Sequence, residues 1–457
     1  MMRPVHAVVI ARLPTFPDRT RQVKRGLDAG AGILSRARRM SAPQLSSADD
    51  VIARLRPGMT VFVGGVTGEP LALRAALAAN PAAAAGVTFV GAWLPGLNEF
   101  DYAGLHRQAK SIGLFVTRAQ RESFATGRHR FVPVSYHGFA EYLGRLEFDQ
   151  AWIQVGPARI DGSYPLGLNA DYADVVRAHT VVAEVNRHLT IGARATMLPR
   201  ADAIVETGVA LPQSPSPAET PEAAALAAHV TELIADRDTI QIGVGSLPSA
   251  VLRRLRNHRD LGLHSGIISD ECLDLVEAGV ITGRHKGIDD GLAVAAVAIG
   301  TTRLYQALAR DDIVLRESRH VHAPGTLARI NSLVSLNAAL EVDLLGQVNA
   351  TSIDGRFVSG MGGFLDFARG ARSSNGGRSV VMLPARAKEK SRIVPRFAPG
   401  TPVTATALDI DVVVTEHGAA RVTGLDWDAR ARALIGIAAP EHRDALAAAW
   451  HEMRGRM

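Results

Sequence analysis

The sequence predicts an α/β protein of two layered halves, each a mostly parallel sheet covered by helices. Three observations predict it. Short aliphatic runs bounded by turn residues alternate with helical patterns, as crossover units do. A strand, a glycine turn and a helix follow one another twice. Between the two copies lies LPQSPSPAETPEA, residues 211–223, whose Pro212, Pro215, Pro217 and Pro221 and lack of apolar periodicity mark a linker. At 457 residues the chain exceeds one ordinary core. It is 47% hydrophobic and 5% aromatic, so aliphatic strands and alanine-rich helices supply the interior.

Charge divides the chain further. Residues 1–40 hold nine Lys or Arg against Asp18 and Asp28, whereas the whole chain has 51 basic and 45 acidic residues, which leaves residues 41–457 at −1. A neutral body disfavours a nucleic-acid partner. No apolar run is long enough to cross a membrane, so no span is expected. The basic leader reads as a disordered tail, a targeting peptide, or an upstream extension of a chain that starts at Met40. The third is preferred, because SAPQLSSADDVIARLRPG opens at once like a first helix capped by Ser46, Ser47 or Asp49. The expected organisation is a leader at 1–40, a first domain at 41–210, the linker at 211–223 and a second domain at 224–457. A single cysteine, Cys272, makes disulfides within the chain impossible and suits a reducing cytoplasm.

In the first unit Thr60–Val63 enter Gly64 and Gly65, pass Gly68 and begin a helix at Pro70, where a missing amide hydrogen costs least. In the second, Thr239–Ile242 lead through Gly243, Val244 and Gly245 to a helix containing Pro248. Further strands are expected at 151–155, 180–185, 334–336, 380–383 and 412–414. The stretch 261–283 places His264, Ser265, Gly266, Ser269 and Asp270 in one polar loop. The spacing of Leu273, Leu275, Val276 and Val280 then predicts a helix, with Ser269 or Asp270 as its cap.

Glycine turns after strands aim amides at an anion. Neither turn completes G-x-G-x-x-G, no P-loop lysine follows, and G-x-S-x-G is absent, which disfavours a dinucleotide oxidoreductase and the usual hydrolase elbow. His320 and His322 form an HxH pair without the companions of a metal site, so a polar loop is expected there and no metal. Cys272 reads as a small buried side chain. Gly360, Gly362 and Gly363 allow backbone to approach a ligand. Asn337, Glu341, Asp343, Asn349 and Asp366 around them are many polar residues for a core. Glu416 ends an aliphatic strand, a place where open sheets carry catalytic groups.

Nine segments stand in an order and at spacings that resemble the acetyl-CoA hydrolase/transferase family. They are FVPVSYHGFAEYL, WIQVGPARIDGSYPLGLNADY, VVAEVN, IQIGVGSLPSAVL, LHSGIISDECLDLVEAGVITG, SLNAALEVDLLGQVNA, GMGGFLDFARGA, SRIVPR and VVTEHGAA. The resemblance runs from about residue 47 to near the C-terminus. It implies two tandem CoA-transferase-like domains, each a mostly parallel sheet with helices on both faces, and an active site in the cleft between them. It also implies a homodimer with a coenzyme A thioester as substrate, a small carboxylic acid as second partner, and no tightly bound cofactor; a cytoplasmic location is expected from the single cysteine. The implied reaction is ping-pong. A glutamate attacks the thioester, and the resulting anhydride becomes a glutamyl-CoA thioester that the acceptor acid attacks, while glycine-loop amides hold the oxyanion.

In relatives the loop reads His-Ser/Thr-Glu where this chain has His264-Ser265-Gly266, so Gly266 occupies the nucleophile's position. Glu271 replaces a glycine usual in that family. The resemblance still carries over a binding set of Gly243, Gly245, Pro248, Asn337, Gly360, Gly362 and Gly363, and Glu416 as an active-site glutamate. The expected function is CoA transfer or hydrolysis of short acyl-CoA thioesters without a covalent enzyme. Glu416 would be the general base, or Glu271, less well placed on the following helix; otherwise the acceptor carboxylate attacks directly. The alternative is a non-catalytic acyl-CoA-binding or regulatory paralogue.

Overall fold

Two eight-stranded sheets organise residues 43–456, the part of the chain that this computed structural model describes. The leader at 1–40 and the choice of Met40 lie outside the described residues. Helix α1 (Ala48–Ala53) starts at Ser47. The Ser47 hydroxyl accepts the Asp50 amide at 3.0 Å and the Asp50 carboxylate accepts the Ser47 amide in return, so Ser47 is the cap among the three candidates.

The first sheet is built from β1 (Gln44–Leu45), β2 (Thr60–Val63), β3 (Thr88–Gly91), β4 (Lys110–Gly113), β5 (His129–Phe131), β6 (Glu147–Val155), β7 (Arg177–Asn186) and β8 (Ala203–Thr207). Their order is β1-β8-β7-β6-β2-β3-β4-β5, parallel throughout. The second sheet uses β9 (Thr239–Ile242), β10 (Gly262–Ile268), β11 (Ala293–Ala298), β12 (Ile313–Leu315), β13 (Leu333–Ala338), β14 (Arg378–Met382), β15 (Val412–Thr415) and β16 (Gly418–Arg421). Its order is β12-β11-β10-β9-β13-β14-β15-β16, parallel except for the last pair. The halves share one topology. In each, the opening strand lies between the strand that follows it and the strand that begins the return, so β2 and β9 occupy matching positions.

The aliphatic runs sit inside these strands because a parallel sheet covered on both faces buries both sides of a strand. All four residues of β9 are buried. Each glycine turn leads to a helix, α2 (Leu71–Ala79) after Pro70 and, later, a helix at Ser246–Arg254 after Gly245. One expectation is corrected. His264, Ser265 and Gly266 belong to β10 and not to a loop, and only Ser269 lies outside regular structure, as N-cap of the helix at Asp270–Glu277. Polar residues enter this strand with one buried carbonyl partner each. The Ser265 hydroxyl donates to the Ile242 carbonyl at 2.8 Å, and His264 Nε2 lies 3.1 Å from the Val321 carbonyl.

The proline-rich stretch is no free tether. The Ser214 amide donates to the Gly300 carbonyl, and Pro221 opens a helix (Pro221–Thr231) whose Ala223 amide is accepted by Thr220 Oγ1. Backbone also joins the halves. Ala298 donates to Leu168 and Ala170 to Ala296, while the Thr67 hydroxyl donates to the Ala298 carbonyl at 2.9 Å. One apolar cluster runs from Phe62 and Leu168 through Ile240 and Ile268, so the groove between the sheets has fixed walls.

Candidate active site

An open α/β sheet offers a crevice where its strand order reverses, beyond the carboxyl ends of the strands on either side. In the second sheet that point is β9. A cavity of about 260 Å³ lies there, lined by Gln241, Ile242 and Gly243 of β9 and its turn, Gly266 of β10, and Asn337 of β13. The first sheet closes it with residues just past the ends of β2, β3 and β4, namely Val66, Leu94 and Phe115. The remaining wall is the glycine loop, Gly360, Gly362 and Gly363, which leads into a helix at Phe364–Ser373. Six of the ten residues singled out from sequence thus meet on one surface. Among the described residues, no Asp, Glu, Lys or Arg lines it.

His322 stands close beside Gly266. A Cβ built there would lie 3.0 Å from His322 Nε2 and 3.6 Å from the Phe367 ring. The His322 imidazole stacks on Tyr136 at 4.7 Å between ring centres and meets Phe367 at 4.8 Å. The HxH pair is therefore split rather than a polar loop. His320, in a short helix (Ser318–Val321), pairs with Asp289 at 2.7 Å, and His322 caps that helix and faces the cavity. Burial, with His137 adding to it, pushes the His322 imidazole down to about 3, which keeps it neutral at physiological pH. The same ring dictates Gly363, whose Cβ would stand 2.9 Å from it.

Tyr136 links this ring to the first half. It opens a helix at Tyr136–Leu143, its amide donates to the Gly362 carbonyl at 2.9 Å, and its hydroxyl donates to Asp171 at 2.5 Å. Burial pushes the Asp171 carboxyl up to about 7. Val66 reaches the wall from a left-handed backbone, φ 52°, a costly state for a β-branched residue, with its carbonyl held by the Asn98 amide group at 2.9 Å. His322, Tyr136, Phe115 and Val66 were missed as site residues. Tyr136 lies within a segment quoted for the resemblance, and His322 within a pair weighed only as a metal ligand.

One helix N-terminus, after Gly363, opens on the cavity, and another begins behind Gly243, after Gly245. Among the described residues, no side chain is bonded to the first-turn amides of the helix after Gly245 or of the helix after Gly363. Such ends attract an anion or a developing oxyanion. Asn337 donates to Gln241 at 3.2 Å, which holds both amides at the cavity edge.

The other four candidates are off this wall. Gly245 and Pro248 belong to the turn and first helical turn behind Gly243. Glu271 is buried on its helix, paired with Arg253 at 3.3 Å and accepting the Ser269 hydroxyl at 3.0 Å. Glu416 follows β15 and accepts the Ala385 amide at 2.8 Å. It shares the carboxyl edge of the sheet, but β14 intervenes between β15 and β13, a distance of about 10 Å by strand spacing. Neither carboxylate lines the cavity beside Gly266. Of the polar residues near the glycine loop, Asn337 alone among those named lines the cavity. Glu341 accepts from Asn349, Asp343 from Gln347, and Asp366 from the His137 amide.

Comparison with known proteins agrees with this architecture. A family model described as acetyl-CoA hydrolase/transferase C-terminal domain matches residues 300–450. A 4-hydroxybutyrate coenzyme A transferase of Clostridium kluyveri is 34% identical over 412 residues, 88% of this chain and 96% of that protein. A butyryl-CoA:acetate CoA-transferase of Anaerostipes caccae is 31% identical over 434 residues, 88% of this chain and 95% of its own length. The crystal structure of RipA from Yersinia pestis superposes with a TM-score of 0.83 at 30% identity, covering 90% of this chain and 98% of that one.

Proposed function

The chain belongs to the acetyl-CoA hydrolase/transferase family, and from that premise we propose that it holds an acyl-CoA thioester over Gly266 and passes the acyl group directly to water or to a small carboxylic acid. One observation carries this reading. The cavity at the reversal of strand order has an uncapped helix N-terminus on its wall, after Gly363, and among the described residues no carboxylate. A carboxylate acceptor would form a bond to the thioester carbon as the C–S bond breaks. The CoA thiolate would then attack the acceptor's own carbonyl in the mixed anhydride and release the original acid. With water as acceptor, its proton ends on the thiolate. Coenzyme A is substrate in this reading, no tightly bound cofactor takes part, and the working form is a cytoplasmic homodimer.

The wall also bears on the acyl group. A dicarboxylic acyl chain would bury its free carboxylate without a cation, which costs several kcal/mol, so an uncharged short acyl group is the better fit. The test is a panel of acetyl-, butyryl- and succinyl-CoA, each with and without acetate, read by free thiol and by mass of the exchanged thioester. Uncharged thioesters should turn over and succinyl-CoA should lag. No turnover with any of them defeats the enzymatic reading.

A second reading has its own support. Glu271 and Glu416 are engaged away from the wall, which suits a non-catalytic acyl-CoA-binding or regulatory protein. Calorimetric binding without turnover would establish it, and absence of binding removes both.

A further inference from the structure

The His322 ring turns a donor inwards and an acceptor towards the cavity. His322 ends the short helix at Ser318–Val321, and the Ser318 carbonyl accepts its amide at 2.8 Å. The buried Nδ1 is within reach of that same carbonyl, one helical turn back, and has no other partner among the described residues. A carbonyl only accepts, so the single proton of the neutral ring lies on Nδ1 and leaves Nε2 with a free lone pair. Nε2 stands 3.0 Å from the position a Gly266 Cβ would take and 2.9 Å from that of Gly363, on the wall of the cavity. Because both neighbours are glycine, neither brings a side-chain carbon against that lone pair. Among the described residues of the wall, Tyr136 and His322 alone carry a titratable side chain. The Tyr136 hydroxyl is committed to Asp171, and burial pushes its pKa well above the usual phenol range. Nε2 is what remains there to accept a proton.

Resting on the acyl-CoA reading above, we infer that His322 is the catalytic base for an attacking water, which makes the chain a thioester hydrolase in preference to a CoA-transferase. The lone pair selects the acceptor. Water donates to Nε2, whereas a carboxylate has no proton to offer and would meet that lone pair on a wall where, among the described residues, no cation stands. Tyr136 and Phe367 clamp the ring, and Tyr136 is itself tied to Asp171 and Gly362, so the lone pair is aimed before substrate arrives. The water oxygen bonds to the carbonyl carbon as one of its protons passes to Nε2, and the π electrons move to the carbonyl oxygen. The helix N-terminus after Gly363 is left to that oxyanion. Collapse re-forms the carbonyl and breaks the C–S bond, and Nε2 returns the proton to the departing sulfur. Free acid and CoA thiol leave, and the ring ends neutral. Burial makes the ring a weak base and its protonated form a strong acid. The weak base suffices, because a water already bonding to carbon is far more acidic than free water, and the strong acid hastens proton return to the thiolate.

The test uses the full chain with butyryl-CoA in ¹⁸O-labelled water, with and without acetate, sampled early in turnover. Butyrate that carries the label, and no acetyl-CoA, is the expected result. From about pH 5 to 8 kcat should stay level, because the buried ring, with Tyr136 and His137 beside it, is already neutral there. His322→Phe keeps a ring in the stack and should lose about 100-fold in kcat with little change in KM. His322→Gln can hold the water but cannot take its proton, so it should be nearly as slow. Acetyl-CoA as the main product, a kcat that falls with a midpoint near about pH 6.5, or wild-type kcat in either variant overturns the inference and leaves the acyl-CoA reading standing. Butyryl-CoA bound by calorimetry but not turned over has the same effect. Absence of both binding and turnover overturns that reading and the inference with it.

Discussion

The two glycine turns have the same topology and opposite uses. In the first half Gly64 and Gly65 follow β2, and a Cβ on Gly65 would lie 2.0 Å from the Ala92 carbonyl oxygen. The helix that follows, α2, finds an acceptor within the protein, since the Leu73 amide donates to the buried Glu184 carboxyl at 2.9 Å. In the second half, among the described residues, nothing stands within 4 Å of a Cβ on Gly243, and the helix after Gly245 has no side-chain cap. One turn is closed by its own chain and the other is open to a ligand. A strand, glycine turn and helix therefore identify a place that could bind an anion, and the occupant decides whether it does.

The sharpest way to break this contrast is Gly65→Ala. The new methyl meets main chain that cannot rotate away, so a loss of about 3 kcal/mol or more is expected, seen as a large fall in Tm or failure to fold. Next comes Glu184→Ala, which leaves buried helix amides unpaired and should cost about 1–3 kcal/mol. Burial, opposed by those amides, pushes the Glu184 carboxyl up to about 7. Between its ordinary range and that value the folded protein keeps a proton that the unfolded chain has released. Its contribution is full below about pH 4.5 and is lost as pH rises towards 7. Glu184→Gln keeps an acceptor and cannot ionise, so denaturation midpoints measured from pH 4.5 to 7 should lose that downward component.

Smaller in stability but informative is Gly266→Glu. The side chain must push past His322 Nε2, so the single variant should show at most weak transferase activity. The pair Gly266→Glu with His322→Ala should show more, with an enzyme-bound thioester sensitive to borohydride. If the single variant is as active as the pair, His322 does not obstruct the position. The smallest expected effect on folding is Gly243→Ala, within about 0.5 kcal/mol, accompanied by a raised KM for acyl-CoA. Equal KM values would show that the open turn is not part of the site.

Much of the scaffold was legible because it depends on local pattern. The runs at 151–155, 180–185 and 412–414 sit inside observed strands because short aliphatic segments between turns have few other ways to bury themselves. Strand β10 was misread because His264, Ser265 and Gly266 look like loop residues. Their partners, Ile242 and Val321, are remote in sequence, and a buried polar side chain reads as exposed until its partner is known. The glycines of the site were legible for a similar local reason, since few residues serve so close to backbone. His322 was not. Its role depends on a ring from the first half, a strand glycine and the helix after Gly363, none of which its neighbours in sequence announce.

The chain's own letters settled the alternation of strands and helices, the repeat of the glycine turn, and the glycine at 266, because these are written in spacing and residue type. Only the folded molecule decided which turn stays open, which side chain stands beside Gly266, and which glutamates stand aside. Those outcomes rest on contacts a few ångströms long between residues far apart along the chain, and packing selects them only when both sheets are in place.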